Sequence, residues 1–260
     1  MAAAKMFERL SEELDRWDEQ GLSPRFWWRD DDVQRPGAAL ERLLNISSRW
    51  RMPLALASIP RGVDTGLAEV LRDFARVHVL LHGYSHQSHA PASERNMELG
   101  GHRPCGRIRA EIEQGLHAFQ ELFGAQFVPV LVPPWNRIHP EVLECLAQTE
   151  ILGLSTLGPR KQDCPLPGIL QANVHVDIMN WKQGRRFAGL ESCIDQLLRH
   201  LDAKRLGRAD RQEPTGIMSH HLVHDEACWA FLEDLFAFLH ERPGVQVESA
   251  STLFAGARRR

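Results

Sequence analysis

Residues Arg25–Val33 read RFWWRDDDV, and this stretch decides how the rest of the chain is read. An apolar, aromatic run ends abruptly in three carboxylates, Asp30, Asp31 and Asp32. Adjacent like charges repel, so the ending asks for a compensating cation or open solvent. A plain buried strand has no use for it. The bland alternative is a solvated strand end that leads into the next helix. Later apolar runs end in an equally polar way, at His82–His86 (HGYSH) and at His220–His221 within GIMSHHLVHD. Carboxylates gathered with imidazoles suit a metal site or acid–base chemistry.

Outward from that strand, the chain alternates. Phe7, Leu10, Leu14 and Trp17 form a helical stripe at the N-terminus,. Past the first strand, Pro36 suits a helix start, and Leu40, Leu43, Leu44 and Trp50 give that helix a buried face,. Strands are expected over Pro53–Pro60, His78–Leu81, Phe127–Val132, Ile151–Leu157, Ile169–Ile178, Thr215–Ser219 and Val245–Val247,. Helices are expected over Leu67–Val77, around Ile108–Leu122, over Pro140–Thr149, through Leu190–Leu201, and after Asp225, which can cap the last long one,. Arg205–Glu213 reads as a charged linker. Residues 84–106 are polar and turn-rich, a loop long enough to suggest a role, with Glu98, His102 and Arg103 read as solvated or salt-bridged,.

Alternating strands and helices point to a parallel sheet covered by helices. The unusual polar groups all follow strands: DDD, HGYSH, PPWNR, DIMNW and HH. In a β/α barrel those strand ends share one rim, where active sites sit. No glycine-rich phosphate loop supports an open dinucleotide-binding sheet. The expectation is a deformed (β/α) barrel of about seven parallel strands over residues 25–255, with residues 1–24 as a helix packed on it.

The bulk properties are those of a soluble globular chain. At 260 residues, with 43% hydrophobic and 25% charged residues, it can bury one sizeable core,. A net charge of −3 argues against a nucleic-acid partner, and Arg258–Arg260 reads as a solvated tail,. No apolar run is long enough to span a bilayer. The five cysteines are scattered without a CxxC pair, which disfavours a cysteine metal site,. An odd count without a signal peptide suggests reduced thiols and a cytoplasmic location. The oligomeric state is not readable.

His82 and His86 stand i, i+4, which on a helical turn places both imidazoles on one side,. His89 adds a third nearby, either a further site residue or a loop residue. Taken in order, the motifs resemble the polysaccharide deacetylase family, carbohydrate esterase family 4 or the NodB-homology domain, over about residues 25–250. That family's pattern is a strand ending Asp-Asp, then HTxSH, RPPYG, an Asp-x-x-Asp-Trp segment and a strand ending in His. Here these positions hold Asp31-Asp32, His82–His86, Pro133–Asn136, Asp177–Trp181 and His220. The resemblance implies that Asp32, His82 and His86 bind a divalent metal, zinc first, with iron, cobalt or nickel also suited to two His and a carboxylate. It implies Asp31 as general base, the Trp135 N–H as oxyanion donor, Asp177 and Trp181 as support and wall, and His220 as the acid. Pro134, Asn136, Arg137, Trp181, His221 and His89 are taken as the substrate-facing set.

The departures are as informative. Asp30 leaves the register open, since base and ligand are either Asp31 and Asp32 or Asp30 and Asp31. Val132 stands where the family has an arginine before the double proline, and Arg137 is a candidate to reach the same carboxylate. His221 competes with His220. The chemistry implied is removal of acetyl from an N-acetylated sugar or glycan intermediate. The rivals are a metal-dependent amidase on a non-sugar amide and a carbohydrate-binding relic with a decayed site.

Overall fold

The computed structural model describes residues 2–256; Met1 and the Arg258–Arg260 tail lie outside the described residues. In chain order the first elements are α1 (Ala2–Glu19), β1 (Arg25–Val33), α2 (Ala38–Arg49), β2 (Leu54–Ser58), α3 (Gly66–Leu71) and β3 (Val77–His82). Next come α4 (Cys105–Phe123), β4 (Phe127–Val132), α5 (Pro140–Leu146), β5 (Gly153–Leu154), β6 (Leu170–Gln171) and β7 (Val176–Asp177). The remainder are β8 (Met179–Asn180), β9 (Arg186–Phe187), α6 (Leu190–Arg205), β10 (Thr215–Ser219), α7 (Glu226–Glu241), β11 (Gln246–Val247) and α8 (Ala250–Leu253).

The main sheet runs β6-β5-β4-β3-β2-β1-β10-β7, parallel at every step, with β11 pairing the first residues of β1. The two ends of this order, β6 and β7, are neighbours in sequence. Residues 170–178 are one extended segment that changes partner midway. Ala172 and Val174 donate to Leu154 and Thr156 beside β5, whereas His175 and Ile178 donate to Gly216 and Met218 of β10. That changeover closes a deformed (β/α) barrel of seven staves, one of them broken,. The single strand expected over Ile169–Ile178 is therefore two short ones. Where the segment crosses β10, a Cβ on Gly216 would lie 2.4 Å from the Asn173 carbonyl oxygen, so only glycine fits,.

Period-two alternation sorts the side chains. Trp27, Ala55, Ala57, Leu80, Val130, Val132 and Met218 fill the barrel interior, with β2 alanines leaving room for the indole,. Phe26, Trp28, Leu54, Leu56, Val79 and Ile217 face outward into the larger core beneath the helices. α1 joins that core through Leu10, Leu14 and Trp17 and packs on α6. Several elements are shorter than the sequence suggests, because the chain turns early into the next stave: α3 ends at Leu71, α5 at Leu146, and β5 keeps only two paired residues. α2 begins at Ala38, with Gly37 as its N-cap and Pro36 just outside. Asp225 accepts the Cys228 N–H at 2.9 Å and caps α7.

One expectation about the cysteines is corrected. Cys105 at the start of α4 and Cys145 in α5 are joined as a disulfide, with Cα atoms 6.3 Å apart,. The step from reduced thiols to a cytoplasmic location loses that support. Among the described residues no helix is long and apolar enough to cross a membrane.

Candidate active site

The three aspartates have three different surroundings. Along β1, Trp27 and Arg29 point into the barrel, and Asp31 follows them. Asp30 points the other way with Phe26 and Trp28. There it accepts the Ser219 hydroxyl at 2.6 Å and the His221 N–H at 3.0 Å, and meets His221 Nδ1 at 2.5 Å. Burial raises the Asp30 carboxyl, but the His221 imidazole and these donors outweigh it and leave it lowered. His221 is raised by the same pair despite its own burial. Beyond Asp31 the pairing with β2 slips by one residue, and Asp32 takes φ 80°. This bulge turns Asp32 onto the rim beside Asp31, where plain alternation would send it outward.

His82 ends β3. Its Nδ1 faces the Val132 carbonyl at 2.9 Å and must donate there, which leaves the Nε2 lone pair directed at Asp32 Oδ1, 3.1 Å away,. His86 Nε2 reaches the same carboxylate oxygen at 3.3 Å. The three donor atoms lie within 4.8 Å of one another. A lone pair facing a carboxylate oxygen needs a cation between them, either a proton or a metal ion. Two imidazoles, one carboxylate and a carbonyl fixing one ring's tautomer suit a divalent metal, so the residues present fit the group. Asp32 is held far below the usual carboxylate range: burial opposes ionisation, and the His82 hydrogen bond and the nearby imidazoles overcome it. His82 is raised by Asp32 and Asp31 against its burial, while burial and the neighbouring His82 lower His86.

The i, i+4 spacing works here without a helix. Gly83 and His86 both have positive φ, 57° and 53°. Glu98, fully buried, takes the Tyr84, Ser85 and His86 N–H groups at 3.2, 2.8 and 3.1 Å and so folds the loop around its carboxylate. A Cβ on Gly83 would sit 2.3 Å from that carboxylate. Glu98 is thus no solvated loop residue, and its neighbours His102 and Arg103 pair instead with Glu94 and Glu111.

Asp31 also has an unforeseen partner. Arg29, two residues earlier on the same face of β1, grips it with two bonds, 2.8 and 3.0 Å,. The guanidinium is fully buried and is held in turn by Ser155 Oγ at 2.7 Å and Asn136 Oδ1 at 2.7 Å. Arg137 does not reach this carboxylate; it donates to the Asn96 carbonyl at 2.8 Å. The sequence held a signal for this: i, i+2 in a strand is one face, so an arginine two before an aspartate is its natural partner.

A cavity of about 460 Å³ opens on the rim, lined by Asp31, Asp32, His82, His86, Trp135 and His220 among others. Asn136, Arg137, Asp177 and Trp181 also line it. His220 Nε2 lies 3.9 Å from Asp31 Oδ2, so the two groups face the same space. Trp181 meets the His220 ring edge-on at 4.6 Å and donates its Nε1–H to Asp177 at 2.8 Å. Burial raises the Asp177 carboxyl, and the Met179 N–H and His220 only partly offset it. Trp135 has φ 55° in the tight turn after β4, whose backbone bonds run from Asn136 and Arg137 to Pro133 and Pro134. Three residues taken as substrate-facing are placed elsewhere. His221 is buried against Asp30, Pro134 packs beneath Gly83, and His89 is exposed on the loop, away from the cavity lining.

This is the fold of the carbohydrate esterase family 4 polysaccharide deacetylases, a deformed parallel barrel with its polar residues on one rim. A Mycobacterium smegmatis protein assigned as a polysaccharide deacetylase matches at 18% identity and a TM-score of 0.66, covering 91% of each chain. The peptidoglycan deacetylase PdaC of Bacillus subtilis matches at 14% identity and a TM-score of 0.56, over 91% of this chain and 92% of that one. A family 4 acetyl xylan esterase from Clostridium thermocellum, in complex with a cobalt ion, matches at 13% and 0.52, over 89% and 90%. By sequence, the chain matches no family profile and no curated protein.

Proposed function

We propose that this chain is a metal-dependent hydrolase that removes acetyl from an N-acetylated sugar or glycan intermediate. The observation that carries the reading is the convergence of Asp32, His82 and His86 beside Asp31 and His220, on the rim where β1, β3 and β10 end. Structural neighbours include deacetylases, and the esterase neighbour holds cobalt. Fold alone does not carry an activity, so the residues must.

An amide is a poor electrophile with a poor leaving group. A divalent ion held by Asp32, His82 and His86, zinc before iron, cobalt or nickel, would supply Lewis-acid polarisation and an acidified water. Asp31 then accepts the proton of the attacking water, its carboxylate held in one orientation by the Arg29 fork,. The Trp135 N–H, left out of its turn's backbone bonds, meets the developing oxyanion,. His220 returns a proton to the departing nitrogen; with Asp31 3.9 Å away, one substrate position serves both transfers. Asp177 holds Trp181 against the His220 ring and limits where that ring can turn.

The relic reading drew on the missing arginine at Val132. Arg29 supplies a guanidinium to the same carboxylate, so that argument no longer favours decay. The non-sugar amidase reading predicts turnover of simple N-acetyl amides with sugars inert. The test is acetate release from a panel of N-acetyl sugars after chelation and metal add-back. Release that depends on added metal supports the proposal; a folded protein that binds no stoichiometric metal and releases nothing overturns it.

A further inference from the structure

The mouth of the cavity is unlike its floor. Three rim segments each present a largely apolar side chain to one space: Leu157 after β5, Trp181 beside β8, and Leu222 in the turn after His220. They are 50%, 42% and 57% exposed, and Leu206, elsewhere, is the only other large hydrophobic side chain this exposed among the described residues. Exposed apolar side chains scattered singly are ordinary, but three gathered at one opening mark a surface that a ligand covers. Val223 and Met218 continue the apolar lining inward.

Two guanidinium groups, Arg137 and Arg185, line the same cavity. Among the described residues neither has a carboxylate within ion-pairing distance, and Arg137 donates only to the Asn96 carbonyl. Arg185 has φ 53° at the tip of the turn between β8 and β9. By contrast Arg29 pairs with Asp31, Arg103 with Glu111 and Arg160 with Asp210. Unpaired arginines beside a ligand cavity favour an anion, and a guanidinium suits phosphate or carboxylate best.

Within the deacetylase reading, on which this inference rests, we propose that the substrate is an anionic amphiphile. A hydrocarbon segment lies against Leu157, Trp181 and Leu222, and a phosphate or carboxylate group is taken up by Arg137 and Arg185. A neutral glycan chain offers no negative charge to Arg137 and Arg185 and no alkyl chain to Leu157 and Leu222.

Calorimetry on the full chain tests this with octyl phosphate, octanoate, octyl glucoside and inorganic phosphate as probes, all below their micellar concentrations. Octyl phosphate or octanoate should bind at least about tenfold more tightly than inorganic phosphate or octyl glucoside, because only they engage both features. The tighter of the first two identifies the anion as phosphate or carboxylate. Leu222→Asn and Leu157→Asn should each weaken the preferred probe by about three- to tenfold. Arg185→Gln should weaken it without changing octyl glucoside binding. Equal binding of octyl phosphate, octanoate and inorganic phosphate, or indifference to all three substitutions, overturns the inference. Turnover is then compared on UDP-N-acetylglucosamine, anionic without hydrocarbon, and on N-acetylglucosaminyl farnesyl diphosphate, which has both. A higher kcat/KM on the farnesyl substrate supports the proposal, and equal values overturn it while the deacetylase reading stands. Octyl phosphate binding without turnover of any N-acetyl sugar overturns the deacetylase reading instead.

Discussion

Replacing Arg29 with methionine keeps the length of the side chain and removes its charge. The guanidinium is fully buried and holds Asp31 through two bonds of 2.8 and 3.0 Å, with Ser155 and Asn136 completing its shell. Removing one partner from a buried pair costs about 3–5 kcal/mol, because the other charge is stranded. For a chain this size that corresponds to a fall of roughly 6–20 °C in Tm. Without the fork, Asp31 is no longer held in the orientation in which it accepts a proton from water,. Turnover at pH 7 should therefore drop by about 10²–10⁴, the range for loss of a general base. Arg29→Lys keeps the charge but loses the fork, and should fall between. The decisive assay is Arg29→Met combined with Val132→Arg, which returns a guanidinium to the strand beside His82. Restored turnover supports the pairing. A folded Arg29→Met protein with unaltered turnover refutes the reasoning.

Other outcomes follow from the same geometry. His82→Ala with His86→Ala should abolish stoichiometric zinc by elemental analysis; because Asp32 and Asp31 raise His82, a proton competes with metal, and wild-type affinity should fall as pH is lowered,. Asp31→Asn should keep the metal and lose about 10²–10⁴ in turnover, whereas Asp32→Asn should lose metal as well, read by metal content against acetate release. His220→Ala should lose activity with metal retained, and His221→Ala should act mainly on Tm, since His221 is buried against Asp30. The Asp30–His221 pair also sets a stability window. Asp30 is lowered from 3.8, so its share is present above that value and lost as pH falls through the folded one,. His221 is raised from 6.5, so its share is present below that and lost as pH rises through the folded value,. Asp30→Asn should lower Tm between those limits and remove the pair's share of the fall in Tm outside them, read from Tm against pH,.

The staves of the barrel were legible because each is a short apolar run ending in polar residues, and that pattern belongs to strand ends on one rim. The same logic brought out the segments DDD, HGYSH and HH, whereas the choice of Asp31, Asp32, His82, His86 and His220 within them rests on the family resemblance. Asp30 was ambiguous because the sequence does not announce a bulge: with strict alternation Asp30 and Asp32 share a face, and the register slip at Asp32 separates them. Arg29 was passed over because a charge inside an apolar run looks like an edge position, and its role depends on Ser155 and Asn136 from elements far along the chain. The broken stave at residues 170–178 reads as one apolar run, since hydrophobic pattern says which residues are buried but not which neighbour they bond. Glu98 was illegible for a similar reason. Its burial comes from the way its loop returns under His82–His86, which no local pattern encodes.

That buried carboxylate has a consequence for how such a centre can be transplanted or can drift over time. Across the loop between them, the Glu98 carboxylate fixes the His86 N–H, and Asn96 within that loop accepts from Arg137. Its sequence can therefore change, provided a glutamate returns under a glycine and a carbonyl still meets Arg137. A graft that copies the two histidines onto another barrel will fail without Gly83 and Glu98, and one that carries all four can accept an unrelated loop. Among descendants of a common ancestor, Gly83 and Glu98 should be exchanged together, because either change alone leaves a steric clash or three backbone N–H groups without an acceptor.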